Sequence, residues 1–150
     1  MCNRPKYETI LNLMAEKKVV NQICKHFNFD AVKLPINSRA DYLLSQDAIA
    51  KAIIEIKIRN NDRSKYPTYM ISKGKYDALL SWLDMGFESA IFVKWKDDLA
   101  YVKLPIQHEV AKGGRRDRGD PLDIKEVVLI NIDKFKSIEK ETKSNDTVEP

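Results

Sequence analysis

The stretch AIIEIKIR, residues 52–59, constrains the fold more than any other part of the chain. Four isoleucines in eight positions favour a pleated, largely buried strand. A strand sends alternate side chains to opposite faces. Ile54, Ile56 and Ile58 therefore point one way, and Ile53, Glu55, Lys57 and Arg59 the other. The charged face is either the solvated side of an edge strand or the wall of a site. A strand this rich in isoleucine belongs near the middle of a sheet, which favours the second reading.

The flanking sequence supplies the rest of such a sheet. Apolar residues recur near the helical period over 6–27, at Ile10, Leu13, Met14, Val20, Ile23, Cys24 and Phe27. FDAVKLP (29–35) and ADYLLS (40–45) read as strands, with QDAIAK as a hairpin connection into the third. NNDRSKYP (60–67) reads as a polar loop. The helix expected over 72–87 has Ser72 as N-cap and Gly86 as C-cap. SAIFVKW (89–95) and LAYVKLP (99–105) form a hairpin through a turn at KDD. QHEVAKGGRRDRGDP (107–121) reads as a long basic loop, DIKEVVLINI (123–132) as the last strand, and DKFKSI as a further turn of helix. The order α-β-β-β-α-β-β-β predicts an α/β (α+β) domain, a mixed β-sheet flanked by helices, over residues 1–138. Residues 139–150 read as a polar, disordered tail.

Composition narrows the function classes. No apolar run approaches the roughly 20 residues of a membrane span, and MCNRPKYETI has no apolar signal core. A cytoplasmic protein is expected, in the host-cell cytoplasm if phage-encoded. The two cysteines, Cys2 and Cys24, and the two histidines, His26 and His108, make no zinc pattern. Net charge is +4, and the tail from 139 carries four acids against two bases, so the body is more basic than the whole. A basic body fits an anionic partner such as nucleic acid.

The charged face of the third strand has chemistry to match. Glu55 and Lys57, two positions apart, project to the same side about 7 Å apart. Asp41 lies on the preceding strand and approaches Glu55 if the two strands pair. Hard divalent cations take oxygen ligands, including one or two carboxylates, and a cation beside them can serve a phosphodiester-cleaving site. Glu16 sits in the stripe Leu13, Glu16, Val20, Ile23, Phe27, where a carboxylate is awkward without a partner. From Lys57 to Lys75 there are six basic residues and one acid, with Tyr66 and Tyr69 interleaved. Basic groups neutralise phosphates, and aromatic rings stack on unpaired bases.

Asp41 followed by Glu55-Ile56-Lys57, in that order of elements, resembles the PD-(D/E)XK nuclease superfamily, with Ala40-Asp41 in place of Pro-Asp. The helix with Glu16, and Lys75 in ISKGKYDALLSW, are similar to Holliday-junction-resolvase-like and small phage-encoded members. The resemblance covers roughly residues 8–105. It implies a restriction-endonuclease-like fold and a DNA endonuclease using Mg²⁺ or Mn²⁺. Asp41, Glu55 and the Ile56 carbonyl would be metal ligands. Glu16 would be a third carboxylate through water, with Glu8 the weaker candidate for that role. Lys57 would orient or activate the attacking water, and Lys75 would contact the phosphate. Arg59, Arg63, Lys65, Lys73, Arg115, Arg116 and Arg118 would bind branched or duplex DNA. Resolvase-like members often act as homodimers, which suits paired incisions. Two other readings stay open: a non-catalytic nucleic-acid-binding protein on a nuclease-like scaffold, and a module whose basic surface meets an acidic protein.

Overall fold

In a computed structural model, residues 10–35, 38–114 and 124–138 are described. Helix α1 spans Ile10–Phe27, and strands β1 (Asp30–Lys33), β2 (Tyr42–Gln46) and β3 (Ile49–Ile58) follow. Then come β4 (Thr68–Ser72), α2 (Lys73–Ser81), β5 (Glu88–Lys94), β6 (Leu99–Leu104), β7 (Glu109–Gly114), β8 (Ile124–Asn131) and β9 (Lys136–Ser137). Six strands form a mixed sheet in the order β1-β2-β3-β5-β6-β9. Only β3 and β5 pair in parallel; the other neighbours are antiparallel. A second sheet has the order β4-β8-β7.

The isoleucine strand is central, with β2 on one side and β5 on the other. This overturns the edge-strand reading of its charges. Ile54 and Ile56 pack with Val19, Val20 and Ile23 of α1. Ile53 faces the opposite core, built with Leu79 of α2, Ile91 and Val93 of β5, and Tyr69, Ile71, Val128 and Ile130 of the small sheet. Both faces of β3 are therefore covered, which is why its apolar residues are nearly continuous. The β2–β3 hairpin turns at Asp47 and Ala48, both with positive φ (52° and 63°). Two positive φ values match the right-handed twist of the strands.

Four expectations change. TYMI, which lies between the expected loop and helix, forms β4 together with Ser72; its alternating burial shows the period of two. The first part of the expected basic loop is β7, paired with β8. The helix over 72–87 ends at Ser81 and continues as a 3-10 turn, Leu83–Met85, before Gly86 at φ 89°. DKFKSI holds a 3-10 turn and then β9. Ser72 does cap α2, accepting from the Lys75 N–H at 3.2 Å. The early part of α1 buries none of its apolar residues; Ile10, Leu11 and Met14 are exposed. No helix is long and apolar enough to cross a membrane among the described residues. The tail beyond 139 lies outside those residues.

Candidate active site

The site forms where β3 runs on past the beginning of β2. The register ends at Tyr42 opposite Ile54. Asp41 extends the ladder beyond that point in two ways. Its N–H donates to the Ile54 carbonyl at 2.9 Å, and its Oδ2 accepts from the Ile56 N–H at 2.7 Å. A side-chain carboxylate thus replaces a missing strand residue. In antiparallel pairing a residue's N–H and C=O point to the same neighbour. The Ile56 carbonyl consequently points to the side where Asp41 sits.

Glu55 is the unusual group. It is 1% exposed, in the middle of the sheet. Lys57 Nζ lies 3.4 Å from its Oε2, and Lys75 Nζ, from the first turn of α2, lies 3.2 Å from its Oε1. Two ammonium groups thus hold the carboxylate, with Oε1 fully buried beside Lys75. Burial pushes the Glu55 carboxyl above its ordinary range, and the negative charge of Asp41 adds to the rise. Lys57 and Lys75 oppose it. A carboxylate buried this deeply is costly even when paired, and functional sites are where such groups persist.

Glu16 reaches the same neighbourhood from α1. It lines an open cleft of about 610 Å³ together with Asp41, Ile56 and Lys57. Lys33 of β1 holds it: Lys33 Nζ is 2.8 Å from Glu16 Oε1 and 3.8 Å from Asp41 Oδ1, over the Tyr42 ring. Burial raises the Tyr42 pKa, helped by the charge of Glu16. Lys33 and Tyr42 were not singled out in the sequence. Their signal is the β1–β2 register, which sets Lys33 opposite Tyr42, beside Asp41.

No group of three or more histidine, cysteine, aspartate or glutamate side chains is arranged to hold a metal ion among the described residues. The donor set still suits a hard divalent cation, which keeps several waters and takes only one or two carboxylates. Asp41 and Glu55 would supply those carboxylates, and the Ile56 carbonyl a neutral oxygen.

The basic residues divide. Arg59 lies at the end of β3 with its Nη2 3.5 Å from the Tyr69 hydroxyl and its guanidinium over the Tyr69 ring. Tyr69 is buried, which pushes its pKa up to about 12, so it offers no free ring for stacking. Tyr66 is exposed, with Lys65 Nζ over its ring. Arg63 turns inward. Its Nη1 donates to Asp98 at 2.7 Å, and its Nη2 donates to the carbonyls of Ile132 and Phe135 at 2.9 and 2.5 Å. This corrects the reading of Arg63 as a DNA ligand, because its donors hold the fold together. Lys73 is taken up by Asp77 at 2.8 Å on the exposed side of α2 and does not join the site. Arg115, Arg116, Arg118 and Glu8 lie outside the described residues.

A family model described as "Phage putative PDDEXK endonuclease" matches residues 2–138. The chain belongs to this family. It is therefore a nuclease of PDDEXK type, and the Asp41, Glu55-x-Lys57 pattern is where the family resemblance pointed. Among solved structures, this PDDEXK protein is similar to Archaeoglobus fulgidus Hjc, a Holliday junction resolvase from an archaeal hyperthermophile. The TM-score is 0.54 at 12% identity, covering 84% of this chain and 98% of that one. The likeness extends the restriction-endonuclease-like fold to the chain. No curated protein matches the sequence.

Proposed function

We propose that the protein is a divalent-cation-dependent endodeoxyribonuclease that acts on branched DNA. One observation carries this reading: a carboxylate, Glu55, buried in the middle of the sheet with two lysine ammonium groups beside its oxygens and the charge of Asp41 next to it. A carboxylate buried this deeply beside a second negative charge is costly, and functional sites are where such pairs are kept.

Asp41, Glu55 and the Ile56 carbonyl would hold Mg²⁺ or Mn²⁺, with Glu16 bound through water once Lys33 yields. Such a cation polarises a phosphoryl oxygen and acidifies bound water. Lys57, half-exposed beside Glu55, is placed to orient a water toward phosphorus and to take up charge that develops there. Lys75 reaches the same carboxylate from α2 and can turn to the phosphate when a cation neutralises Glu55. Arg59, on the same face of β3 two positions beyond Lys57, is the anchor for the next phosphate. Cleavage leaves 5′-phosphate and 3′-hydroxyl ends.

The test is cleavage of end-labelled four-way junction, flap, duplex and single strand in Mg²⁺ and Mn²⁺, with native protein and Lys57→Ala. Native cutting is expected to fall by about 10²–10³-fold in the variant and to vanish in EDTA. Sedimentation of the protein on a junction reports whether two copies act together. DNA binding without cutting by native protein would overturn the catalytic reading in favour of a binding protein on this scaffold.

A further inference from the structure

A groove of about 530 Å³ opens on the face of the protein that carries Glu55, Lys57 and Arg59, and the catalytic chemistry does not use it. Arg59, Tyr66, Thr68, Tyr69, Met70 and Leu129 line it. Its surface is unusual for an exposed position. Tyr66 is 55% exposed and Met70 49% exposed. Arg59 lines it and stands over the Tyr69 ring, and Lys65 stands over the ring of Tyr66. The charges of Glu55 and Asp41 reach Tyr69, so the inner wall of the groove adjoins the carboxylate site. Arg59 belongs to both.

We propose that this groove receives one unpaired nucleobase, that of the nucleotide next to the scissile phosphate, and that DNA with such a nucleotide is the preferred substrate. The inference rests on the reading of the site as DNA-cleaving. Arg59 is the hinge of the argument. A phosphate held by Arg59 lies between Lys57 on one side and the groove on the other, so the base attached to it is carried to Tyr66 and Met70. An apolar, partly aromatic wall with cations beside it matches a flat base on an anionic backbone. A base inside an intact duplex is stacked on its neighbours and cannot enter. A base at a branch point, flap or mismatch is already unstacked, so the cost of extruding it is smallest there.

The experiment uses 2-aminopurine in an oligonucleotide duplex, at one unpaired nucleotide beside the junction or fully paired, and the same substrates with an abasic position there. Binding is followed by fluorescence in EDTA, and cleavage in Mn²⁺. The unpaired probe should respond on binding and the paired probe should not. Tyr66→Ala should abolish the response and Tyr66→Phe restore it. The abasic substitution should weaken native binding roughly 5- to 100-fold, the range of one base stacked on an aromatic ring. It should cost Tyr66→Ala little. Both variants alter an exposed ring, so folding is not at stake. An abasic penalty equal in native protein and Tyr66→Ala would overturn the base groove while leaving the nuclease standing. So would a Tyr66→Ala protein that changes oligomeric state on sedimentation yet keeps the probe response, which would make the free edge of β4 a contact between copies. Absence of cleavage by native protein would remove the nuclease reading, and the fluorescence in EDTA would still decide the groove.

Discussion

At the scale of single residues, Glu55 is where sequence and chemistry meet. Its exposure is nearly nil, and burial raises its carboxyl pKa before Asp41 adds to the shift. A raised folded pKa means that the native state binds more protons than the unfolded chain between the two pKa values. Stability then falls as pH rises through that window. In EDTA, the Glu55→Gln variant removes this titration. Its melting temperature should therefore exceed that of native protein increasingly as pH climbs from the ordinary glutamate range to neutrality, with little difference at acid pH. Parallel pH dependence would show that Glu55 titrates alike in the folded and unfolded chain, and a native protein that gains on the variant as pH rises would show that its charged form is favoured. The pairing of Glu55 with Lys57 was legible because alternation in a strand is strict. The partners Lys33 and Asp98 were not, since Lys33 stands 17 positions from Glu16 and Asp98 stands 35 from Arg63, and no local pattern reports such pairs. Arg63 shows the limit most clearly: in sequence it is one cation of a basic run, while in space it is the donor for Asp98, Ile132 and Phe135.

At the scale of elements, the loop between β3 and β4 does two separate jobs through two arginines. Arg63 ties it to the β5–β6 turn through Asp98, which is fully buried and also accepts from Ser137 at 2.6 Å. Arg63→Ala leaves that carboxylate without its ion pair and should cost about 3–5 kcal/mol of stability in urea denaturation. Arg59→Ala removes an exposed side chain and should change stability little. The order should reverse in DNA binding: Arg59→Ala should lower the slope of log affinity against log salt by about one, and Arg63→Ala, at temperatures where it is folded, should leave it unchanged. Equal slopes for native protein and Arg59→Ala would take Arg59 out of the phosphate path. The strands β3 and β5 were legible from dense β-branched runs, β6 from its hydrophobic run ending at Pro105, and the hairpin at Asp47–Ala48 from its position. β4 and β7 were hidden. Both are short flanking strands of the small sheet, held by pairing to β8, and β7 contains two glycines that read locally as a loop.

At the scale of the whole molecule, the sheet splits its two cores and leaves the acidic groups at the place where they meet. α1 covers one face and brings Glu16; α2 and the small sheet cover the other and bring Lys75. The fold thus gathers carboxylates whose mutual repulsion a cation would relieve, while Lys33, Lys57 and Lys75 partly balance them. A ligand that binds only the native state stabilises it by RT ln(1 + [L]/Kd), or about 2.7 kcal/mol at a hundred times Kd. For a chain of this size that is a rise of roughly 5–10 °C in melting temperature. Mn²⁺ or Mg²⁺ should produce such a rise, saturably. Because a cation competes with protons for the Glu55 carboxylate, whose pKa is raised, the rise should be larger at neutral than at acid pH. Asp41→Asn keeps an oxygen acceptor for the Ile56 N–H but loses the charge, so its melting temperature in EDTA should stay near the native value while the cation effect disappears. A native melting curve flat to both cations would refute the carboxylate pair as a metal site. A rise retained in Asp41→Asn would move the cation to other residues. The combination of a native rise and a flat variant would link the gap in the β2–β3 ladder, which Asp41 fills, to cation binding.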